Sequence, residues 1–317
     1  MNKKIVITFL LAAVCLSSCR HTSEKLEPRL NYAVQDKYLK SLPSPFPALS
    51  EAEKRQDWAR EYQIGIGFAH QLDLYQAMTA FKRADILIEN SSPERKQQIL
   101  YTILLSYYLG KKYQDVVYTY ESTDLRYVNN SFPAFRDLLV ILYDAFTQLG
   151  EDDKALRVLQ AIQQYYPETG ETLSVSDLLY AGNVEKLNQY ATEKSSAPYL
   201  NDFLAHYEAE KKSIPTAKTL NALLPGAGYF YLGQKQSAFT ALMLNGLFIA
   251  ASYIFFHNGN IPAGVIFTSF ETGWYFGGII GAGQEAKLYN ERVYEKYATP
   301  MMNEQRLFPV LSLKYAF

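Results

Sequence analysis

The chain contains 317 residues and carries a formal net charge of -1, so acidic and basic side chains nearly cancel. This length is enough for about two domains, and the balance of charge excludes the strongly basic class of nucleic-acid-binding proteins. Tyrosine is abundant, with 26 residues. Its amphipathic ring suits helical packing, binding grooves and membrane interfaces alike, so the tyrosine content does not decide between these settings.

Residues 1–18 have the organisation of a bacterial signal peptide. Two lysines precede the apolar stretch 5–16, which is too short for an ordinary membrane-spanning helix. The sequence Leu-Ser-Ser-Cys that ends at Cys19 resembles the bacterial lipobox. The resemblance implies that Cys19 is lipidated and that the mature chain is a cell-envelope lipoprotein outside the cytoplasm. An ordinary secretory signal, in which Cys19 has no role, stays open as the alternative.

Residues 19–55 are polar and contain several prolines, and we interpret them as a tether. Near the end of this segment, Ser50 and Glu53 have the spacing of a capping box. The pair predicts that the first helix of the following domain begins near Ser50.

A repeated helical pattern predicts a domain over residues 56–210. Ala77, Phe81 and Ala84 form an A-x-x-x-F-x-x-A pattern, and apolar residues recur at helical spacing around it. The equivalent positions 39 residues further on, and again 39 residues after those, are Val116, Tyr120, Thr123, Ala155, Leu159 and Ile162. This pattern resembles the tetratricopeptide repeat (TPR), although its period is longer than the usual 34 residues. A generic helical bundle stays open as the alternative.

The TPR resemblance implies a binding groove lined by the first helix of each pair. Carrying over the groove positions of the family by register gives Tyr62, Ile66, Tyr101, Leu105, Tyr108, Asp144 and Thr147. A groove of this aromatic character suits an extended peptide or a partner helix, so we expect a protein partner. Solvated or partly packed surface is the alternative for these seven positions.

Residues 211–290 predict a membrane-embedded helical hairpin. The apolar stretches 237–256 and 261–283 are each about long enough to span the hydrocarbon core. Asn245 and Glu271 interrupt them, and we expect Glu271 to face the helix interface as a hydrogen-bonding or a proton-carrying group. Three glycines spaced by four residues predict close packing against the preceding helix: Gly273, Gly277 and Gly281. A buried hairpin of a soluble domain stays open.

The segment PGAGYFYLG, residues 225–233, precedes the hairpin. It resembles the P-G-x-G-x-x-Y-x-G entry of small bacterial two-helix membrane domains and a similar G-x-x-x-F-Y-L-G entry found in bacteria and animals. A phosphate loop is excluded because a third glycine at the required spacing and the Lys-Ser/Thr pair are missing. We expect Pro225 and Gly226 to break a helix where the chain enters the membrane, and Gly228 and Gly233 to let the backbone turn closely beneath the hairpin. Tyr231 is expected to lie at the membrane interface.

The orientation that lipidation implies for the hairpin conflicts with the charges that flank it. Lipidation at Cys19 would place both ends of a two-span hairpin outside the cytoplasm. Basic residues flank these ends, however, and the tip at residues 257–260 has no lysine or arginine, which favours the reverse orientation. A motif segment that itself crosses the membrane and a hairpin that docks on an outer-membrane partner both stay open. Inner and outer membrane are equally open.

Residues 291–317 are assigned as a C-terminal tail. Its end, RLFPVLSLKYAF, alternates apolar residues up to Phe317 and resembles the last strand of an outer-membrane β-barrel. The chain has no other alternating run and cannot form its own barrel. Addition of this segment as a strand to the sheet of a partner, a frayed tail and a short packed strand all stay open.

No catalytic or metal-binding motif occurs, and the four histidines are isolated from one another. We therefore expect no enzyme, no metal site, no cofactor and no nucleic-acid partner. The predicted fold is all-α, with a TPR-like solenoid followed by a transmembrane helical hairpin. The predicted function is that of a lipid-anchored scaffold or adaptor that binds a protein partner. The alternatives are an outer-membrane protein assembly factor and an accessory subunit of a membrane transporter or enzyme.

Overall fold

The structure of the protein is a computed structural model that describes residues 25–32, 36–88, 92–193 and 197–317. Cys19 and the predicted signal peptide lie outside these residues. All regular secondary structure in the described ranges is helical, without a strand, which confirms the all-α fold class. The chain divides into two compact units. We call them the repeat unit, residues 31–177 with 300–317, and the hairpin unit, residues 1–30 with 178–299.

The helices of the repeat unit are α1 (Asp36–Ser41), α2 (Asp57–His70), α3 (Leu74–Ile88), α4 (Pro93–Leu109), α5 (Tyr113–Ser122), α6 (Phe135–Leu149), α7 (Asp152–Tyr165) and most of α8 (Pro167–Tyr180). Short three-ten turns lie at Glu53–Arg55, Asp124–Tyr127 and Pro309–Ser312. From α2 to α7 each helix packs on the next one in the chain, and α4 also contacts α6. Part of the segment that was interpreted as a tether is helical, because residues 36–41 form α1 of this unit.

The A-x-x-x-F-x-x-A pattern forms the contact between α2 and α3. Ala77, Phe81 and Ala84 are fully buried on α3. Gly65 on α2 lies directly against the Phe81 ring, since a Cβ atom at Gly65 would come within 2.5 Å of it. The absence of a side chain at Gly65 thus lets the two helices approach closely. At the end of α6, Gly150 has a φ of 72°, the left-handed conformation that commonly ends a helix.

Ser50 and Glu53 form the predicted reciprocal pair, but the helix begins later than expected. The Ser50 N–H donates to Glu53 Oε2 at 2.7 Å, and the Glu53 N–H donates to Ser50 Oγ at 3.3 Å. This pair caps only a three-ten turn. Gln56 then adopts an extended conformation, so α2 starts at Asp57.

Arg95 on α4 binds the same carboxylate and holds this segment in place. Its Nε donates to Glu53 Oε1 at 2.8 Å, and its Nη1 donates to the Pro47 carbonyl oxygen at 2.8 Å. The Arg95 guanidinium, together with Ser50, lowers the pKa of Glu53 from an ordinary 4.5 to about 2. The ionised form of Glu53 is therefore the one that the folded state favours.

Replacement of Glu53 by glutamine is expected to remove part of the acid sensitivity of the repeat unit. A carboxyl group with a depressed pKa stabilises the fold above pH 4.5 and loses that contribution as the pH falls towards about 2. The wild-type chain should thus exceed Glu53→Gln in thermal stability at neutral pH and lose this advantage within that window. Circular dichroism melting at several pH values measures the difference. The exposed Glu94 provides the control, and a Glu53→Gln difference that stays constant with pH would contradict the assignment.

The hairpin unit contains α9 (Val184–Glu193), α10 (Pro198–Glu210), α11 (Ile214–Leu223), α12 (Ala227–Tyr231), α13 (Lys235–His257) and most of α14 (Ile261–Glu304). α14 is continuous over 44 residues, so no break separates the predicted hairpin from the predicted tail at residue 290. The last five residues of α14 belong to the repeat unit, as do all residues that follow.

Candidate functional site

Five of the seven predicted groove positions are buried in the interior of the repeat unit. They lie on the first helices of the pairs, as the register predicts, but Tyr62, Tyr101, Leu105, Tyr108 and Asp144 are each less than a tenth exposed. Ile66 is half-buried and Thr147 is exposed. The predicted face therefore exists, but it is not an open groove in this structure. The chain itself covers it from two directions.

The segment before α2 covers one part of this face. The Phe46 ring packs edge-on against Tyr101 with ring centroids 5.7 Å apart, and it also contacts Phe132. Earlier in the chain, the Tyr32 ring lies 5.4 Å from the Phe308 ring. The described residues 31–32 and 36–55 of the predicted tether are thus part of the packed unit, in which the rings of Tyr32 and Phe46 pack against other aromatic side chains.

The C-terminal tail covers another part of the same unit. The structure contains neither the predicted strand nor a frayed end over residues 305–317. Instead, the tail makes the three-ten turn Pro309–Ser312, and the Phe317 ring stacks on Phe81 at 6.1 Å. Eight residues of 305–317 are buried: Leu307, Phe308, Pro309, Val310, Leu311, Leu313, Ala316 and Phe317.

Three side chains, which we call the tail-binding residues, contact the backbone of this tail: Tyr38, Arg136 and Asp137. Asp137 is fully buried, and its Oδ2 accepts hydrogen bonds from the N–H groups of Lys314 and Tyr315, both at 2.8 Å. Arg136 Nη1 donates to Asp137 Oδ1 at 2.6 Å and to the Ser312 carbonyl oxygen at 3.0 Å. The Tyr38 hydroxyl lies 2.8 Å from the carbonyl oxygens of Leu311 and Leu313.

Burial and hydrogen bonding shift the pKa of Asp137 in opposite directions. Removal of the carboxyl from water raises the pKa of Asp137, whereas Arg136 and the two backbone N–H groups lower it. A buried carboxylate that is paired and receives three hydrogen bonds is stable only while all of its partners remain in place. The tail and the start of α6 are therefore energetically coupled through Asp137.

Sequence reasoning did not identify Arg136 or Asp137. An aspartate in the first turn of a helix is ordinary, because it faces the positive end of the helix dipole. The one unusual feature is position, since Arg136-Asp137 opens the helix segment FRDLLVILYDAF, in which Asp144 is the single other charged residue. A charged pair at the start of a helix that is buried on several sides requires a polar partner from elsewhere in the fold.

Tyr108 and Asp144, both predicted to contact a partner, bind each other. The Tyr108 hydroxyl donates to Asp144 Oδ2 at 2.6 Å, and Gln148 Nε2 donates to Asp144 Oδ1 at 3.2 Å. Burial raises the pKa of Asp144, and burial together with the Asp144 charge raises the pKa of Tyr108. Tyr62 likewise accepts a hydrogen bond from Gln98 at 2.8 Å. These polar groups are satisfied within the unit.

In the hairpin unit, the PGAG turn (residues 225–228) is a point of very close packing. Gly226 has a φ of 94°, and its N–H donates to the side chain of Asn221 at 2.9 Å. A Cβ atom at Gly226 would lie 2.3 Å from the Ala238 carbonyl oxygen. A Cβ atom at Gly228 would lie 2.3 Å from the Ala217 carbonyl oxygen. The two glycines therefore join α11, α12 and α13 without room for any side chain.

The remaining motif residues have looser surroundings. The Tyr231 hydroxyl accepts a hydrogen bond from the Ser213 N–H at 3.2 Å, and the Lys212 ammonium lies 5.1 Å from the centre of its ring. Gly233 has a φ of 79° but open space around it. Pro225 is the first residue of the turn and is half-buried. The expected helix break at this motif agrees with the end of α11 at Leu223.

One helix in the described ranges, α13, is long and apolar enough to cross a membrane. It has 23 residues, and only 11% of its most apolar window is buried. The predicted second span, the first half of α14, falls short because it includes Glu271, two threonines and several glycines. Large apolar side chains are nevertheless exposed along both helices of the hairpin, α13 and the first part of α14. They include Phe239, Met243, Leu247, Tyr253, Ile254, Ile261, Ile266, Phe270, Trp274 and Phe276.

The two helices of the hairpin contact each other through aromatic rings rather than through the predicted glycine face. Phe248 contacts Phe267 and Phe270 with ring centroids 6.3 Å away in each case. Nothing lies within 4 Å of a Cβ atom added at Gly273 or Gly277. The three glycines of the predicted face therefore do not pack on α13, and Gly281 faces Tyr229 of α12 instead.

Asn245 and Glu271, which interrupt the apolar stretches, share no hydrogen bond with each other. Asn245 is 3% exposed, and its Nδ2 donates to the Ala241 carbonyl oxygen of its own helix at 2.6 Å. Asn245 Oδ1, Ser252 Oγ and Glu271 Oε2 are shielded from solvent and have no hydrogen-bond partner in the part of the chain that the structure describes.

No group of three or more histidine, cysteine, aspartate or glutamate residues that could hold a metal ion occurs within the described ranges. Among protein-family models, curated proteins and solved structures, none matches this chain.

Proposed function

We propose that the chain is a lipid-anchored scaffold or adaptor of the bacterial cell envelope, with its hairpin in the membrane and a TPR-like domain that binds a protein partner. The observation that supports the membrane part of this proposal is the exposure of the apolar helix α13. Only 11% of the most apolar stretch of this helix is buried. Contiguous apolar surface of this extent marks contact with a membrane or a partner.

A bilayer fits this surface better than water does. α13 has 23 residues, whereas about 20 apolar residues are needed to cross the hydrocarbon core. The PGAG turn at the base of the hairpin is followed by the exposed Phe230 and by Tyr231, which lies beside Lys212. Aromatic and basic side chains in such positions suit the interface between hydrocarbon and headgroups. Lipidation at Cys19 would add a second attachment.

The TPR-like assignment is supported by the packing of the first helix pair. Small residues at positions 65, 77 and 84 and the large Phe81 between them have the roles that the TPR pattern gives to these residue types. One helix pair cannot bury its apolar face alone, and the successive contacts from α2 to α7 provide the neighbours that it needs. Binding of a protein partner is the role that this architecture commonly supports.

Tryptophan fluorescence in liposomes tests the membrane part directly. The chain has two tryptophans: Trp58 is 4% exposed in the repeat unit, and Trp274 is 47% exposed on α14. In liposomes that contain brominated phosphatidylcholine, Trp274 should be quenched, because bromine on the acyl chain quenches a ring at the same depth. The Trp274→Phe variant, which retains Trp58 alone, should show no quenching.

Two results would reject the membrane assignment. One is equal quenching of the wild-type chain and Trp274→Phe. The other is failure of the chain to float with the liposomes on a density gradient. Partner binding is tested separately by crosslinking in native membranes.

A further inference from the structure

The hydrogen bonds between the tail-binding residues and the tail all involve main-chain atoms of the tail. Asp137 accepts two successive backbone N–H groups, at Lys314 and Tyr315. Arg136 donates to a backbone carbonyl oxygen, and the Tyr38 hydroxyl lies within hydrogen-bonding distance of two others. Main-chain contacts of this kind do not depend on the sequence of the segment, so they can bind any segment of the same backbone shape.

Specificity would come from the apolar side chains on either side of these contacts. Phe308, Leu313 and Phe317 are each at most 5% exposed, whereas Lys314 between them is exposed. The Phe317 ring stacks on Phe81, and the Ala316 N–H donates to the Pro43 carbonyl oxygen at 3.0 Å. The site therefore takes a segment with apolar anchors at both ends and a polar residue in the middle.

We propose that Tyr38, Arg136 and Asp137 form a binding site for a short, non-helical, apolar peptide segment, and that residues 307–317 are its resident occupant. A segment of similar chemistry in a partner protein binds by displacing the tail. The tail is covalently attached, so its effective concentration is high and a competitor must have appreciable affinity or local concentration. In naming a partner protein as the source of the competitor, the proposal rests on the proposed function. The site and its occupant do not depend on it.

The test uses full-length chain in detergent and a fluorescein-labelled peptide of residues 305–317 as the probe. The wild-type chain should bind the probe weakly, because its own tail occupies the site. A chain with Leu313→Ser and Phe317→Ser has a weakened tail and intact tail-binding residues, and it should bind the probe at least about tenfold more tightly. Fluorescence polarisation measures both affinities.

Two controls separate site binding from non-specific adsorption of an apolar peptide. A probe that carries the same two serine substitutions should not bind the tail variant. Addition of Asp137→Asn to the tail variant should abolish binding of the normal probe, because one carboxylate oxygen no longer accepts both N–H groups with full charge. If the tail variant retains its helical circular dichroism but does not bind the probe, the tail is a permanent part of the core and the proposal is overturned.

Hydrogen exchange of the wild-type chain provides a test that needs no substitution. If the tail leaves its site while the helices stay folded, the amides of Lys314 and Tyr315 should exchange at least about tenfold faster than the buried amides of α4. Equal protection of the tail and α4 would overturn the proposal even if the tail variant fails to fold. Neither experiment requires membrane insertion, so failure of the proposed membrane attachment would leave these results unaffected.

Discussion

The Gly228→Ala chain is expected to lose about 3 kcal/mol or more of stability in the hairpin unit, whereas Gly277→Ala should leave its stability unchanged or slightly higher. Both glycines lie within helices and receive the same single methyl group. Any difference between the two variants therefore reports their surroundings and not the chemistry of the substitution.

The surroundings of Gly228 leave no room for a methyl group. A Cβ atom there would lie 2.3 Å from the Ala217 carbonyl oxygen, 2.8 Å from Asn221 Cβ and 2.9 Å from Ala282 Cβ. The nearest of these atoms belongs to the backbone of α11, so no rotamer change relieves the overlap. The helices must move apart, and this would also disturb the hydrogen bond from the Gly226 N–H to Asn221.

Gly277 is the matched control because nothing lies within 4 Å of its added Cβ atom. Alanine stabilises a helix interior by up to about 1 kcal/mol relative to glycine. Thermal unfolding in the same detergent, followed by circular dichroism, should thus rank the chains as Gly277→Ala at or above wild type and Gly228→Ala well below. Equal melting temperatures for the two variants would mean that the PGAG turn is not a close-packed junction.

These glycines also show what sequence periodicity can and cannot establish. The spacing of Gly273, Gly277 and Gly281 predicts a smooth helix face, and the three residues do lie on one continuous helix. Periodicity does not reveal whether another element faces that surface. Two of the three positions are open, and the close contact occurs at the PGAG turn, where the short irregular spacing resembles a known motif rather than a helix face.

Local patterns were sufficient to predict the repeat unit as a set of helices. Alternation of small and large residues at Ala77, Phe81 and Ala84 predicted their burial, and the turn at Gly150 adopts the left-handed conformation that favours glycine. The register also placed Tyr101 and Tyr108 on the correct helix. It could not predict that these rings are covered, since the covering residues come from distant parts of the chain.

The tail also shows that local sequence patterns do not reveal contacts with distant parts of the chain. RLFPVLSLKYAF predicted alternating exposure, which the structure shows only at Leu313 and Lys314, since Val310 and Ala316 of the opposite parity are also buried. Its partners Arg136 and Asp137 lie more than 170 residues earlier in the chain, as the bonds to Ser312 and Lys314 show. No local signal connects the two segments, and the first-turn position of Asp137 gives it an ordinary explanation. The predicted boundary at residue 291 lies inside α14, whereas the C-terminal residues that belong to the repeat unit begin at Pro300.

The Asp137→Ala substitution is expected to reduce the stability of the repeat unit by about 3 to 5 kcal/mol. It removes the partner of the Arg136 guanidinium, whose side chain is 13% exposed, and the acceptor of two backbone N–H groups. A buried charge without its partner and donors without an acceptor are among the costliest defects that a single substitution produces. Chemical unfolding followed by Trp58 fluorescence in the Trp274→Phe background measures this unit by itself.

The exposed Asp153 provides a matched control, because it also lies in the first turn of a helix of the same unit. Asp153→Ala loses a favourable interaction with the helix dipole, which is about 0.3 to 1 kcal/mol. A loss of similar size for Asp137→Ala would show that Asp137 acts only through the helix dipole and that its contacts with the tail contribute little.

A double variant, Arg136→Met with Asp137→Leu, separates the contribution of the ion pair to stability from that of the contacts with the tail. Replacement of both charges by apolar groups leaves no unpaired charge, so the double variant should be more stable than Asp137→Ala alone. The N–H groups of Lys314 and Tyr315 still lose their acceptor in this variant, at about 1 to 3 kcal/mol each if they stay buried. Release of the tail into water avoids that cost. The double variant should therefore retain folded helices yet lose its last residues rapidly to carboxypeptidase, whereas the wild-type tail resists. In the double variant the tail loses several backbone hydrogen bonds, whereas Thr169 Oγ1 loses only the single bond from Arg136 Nε.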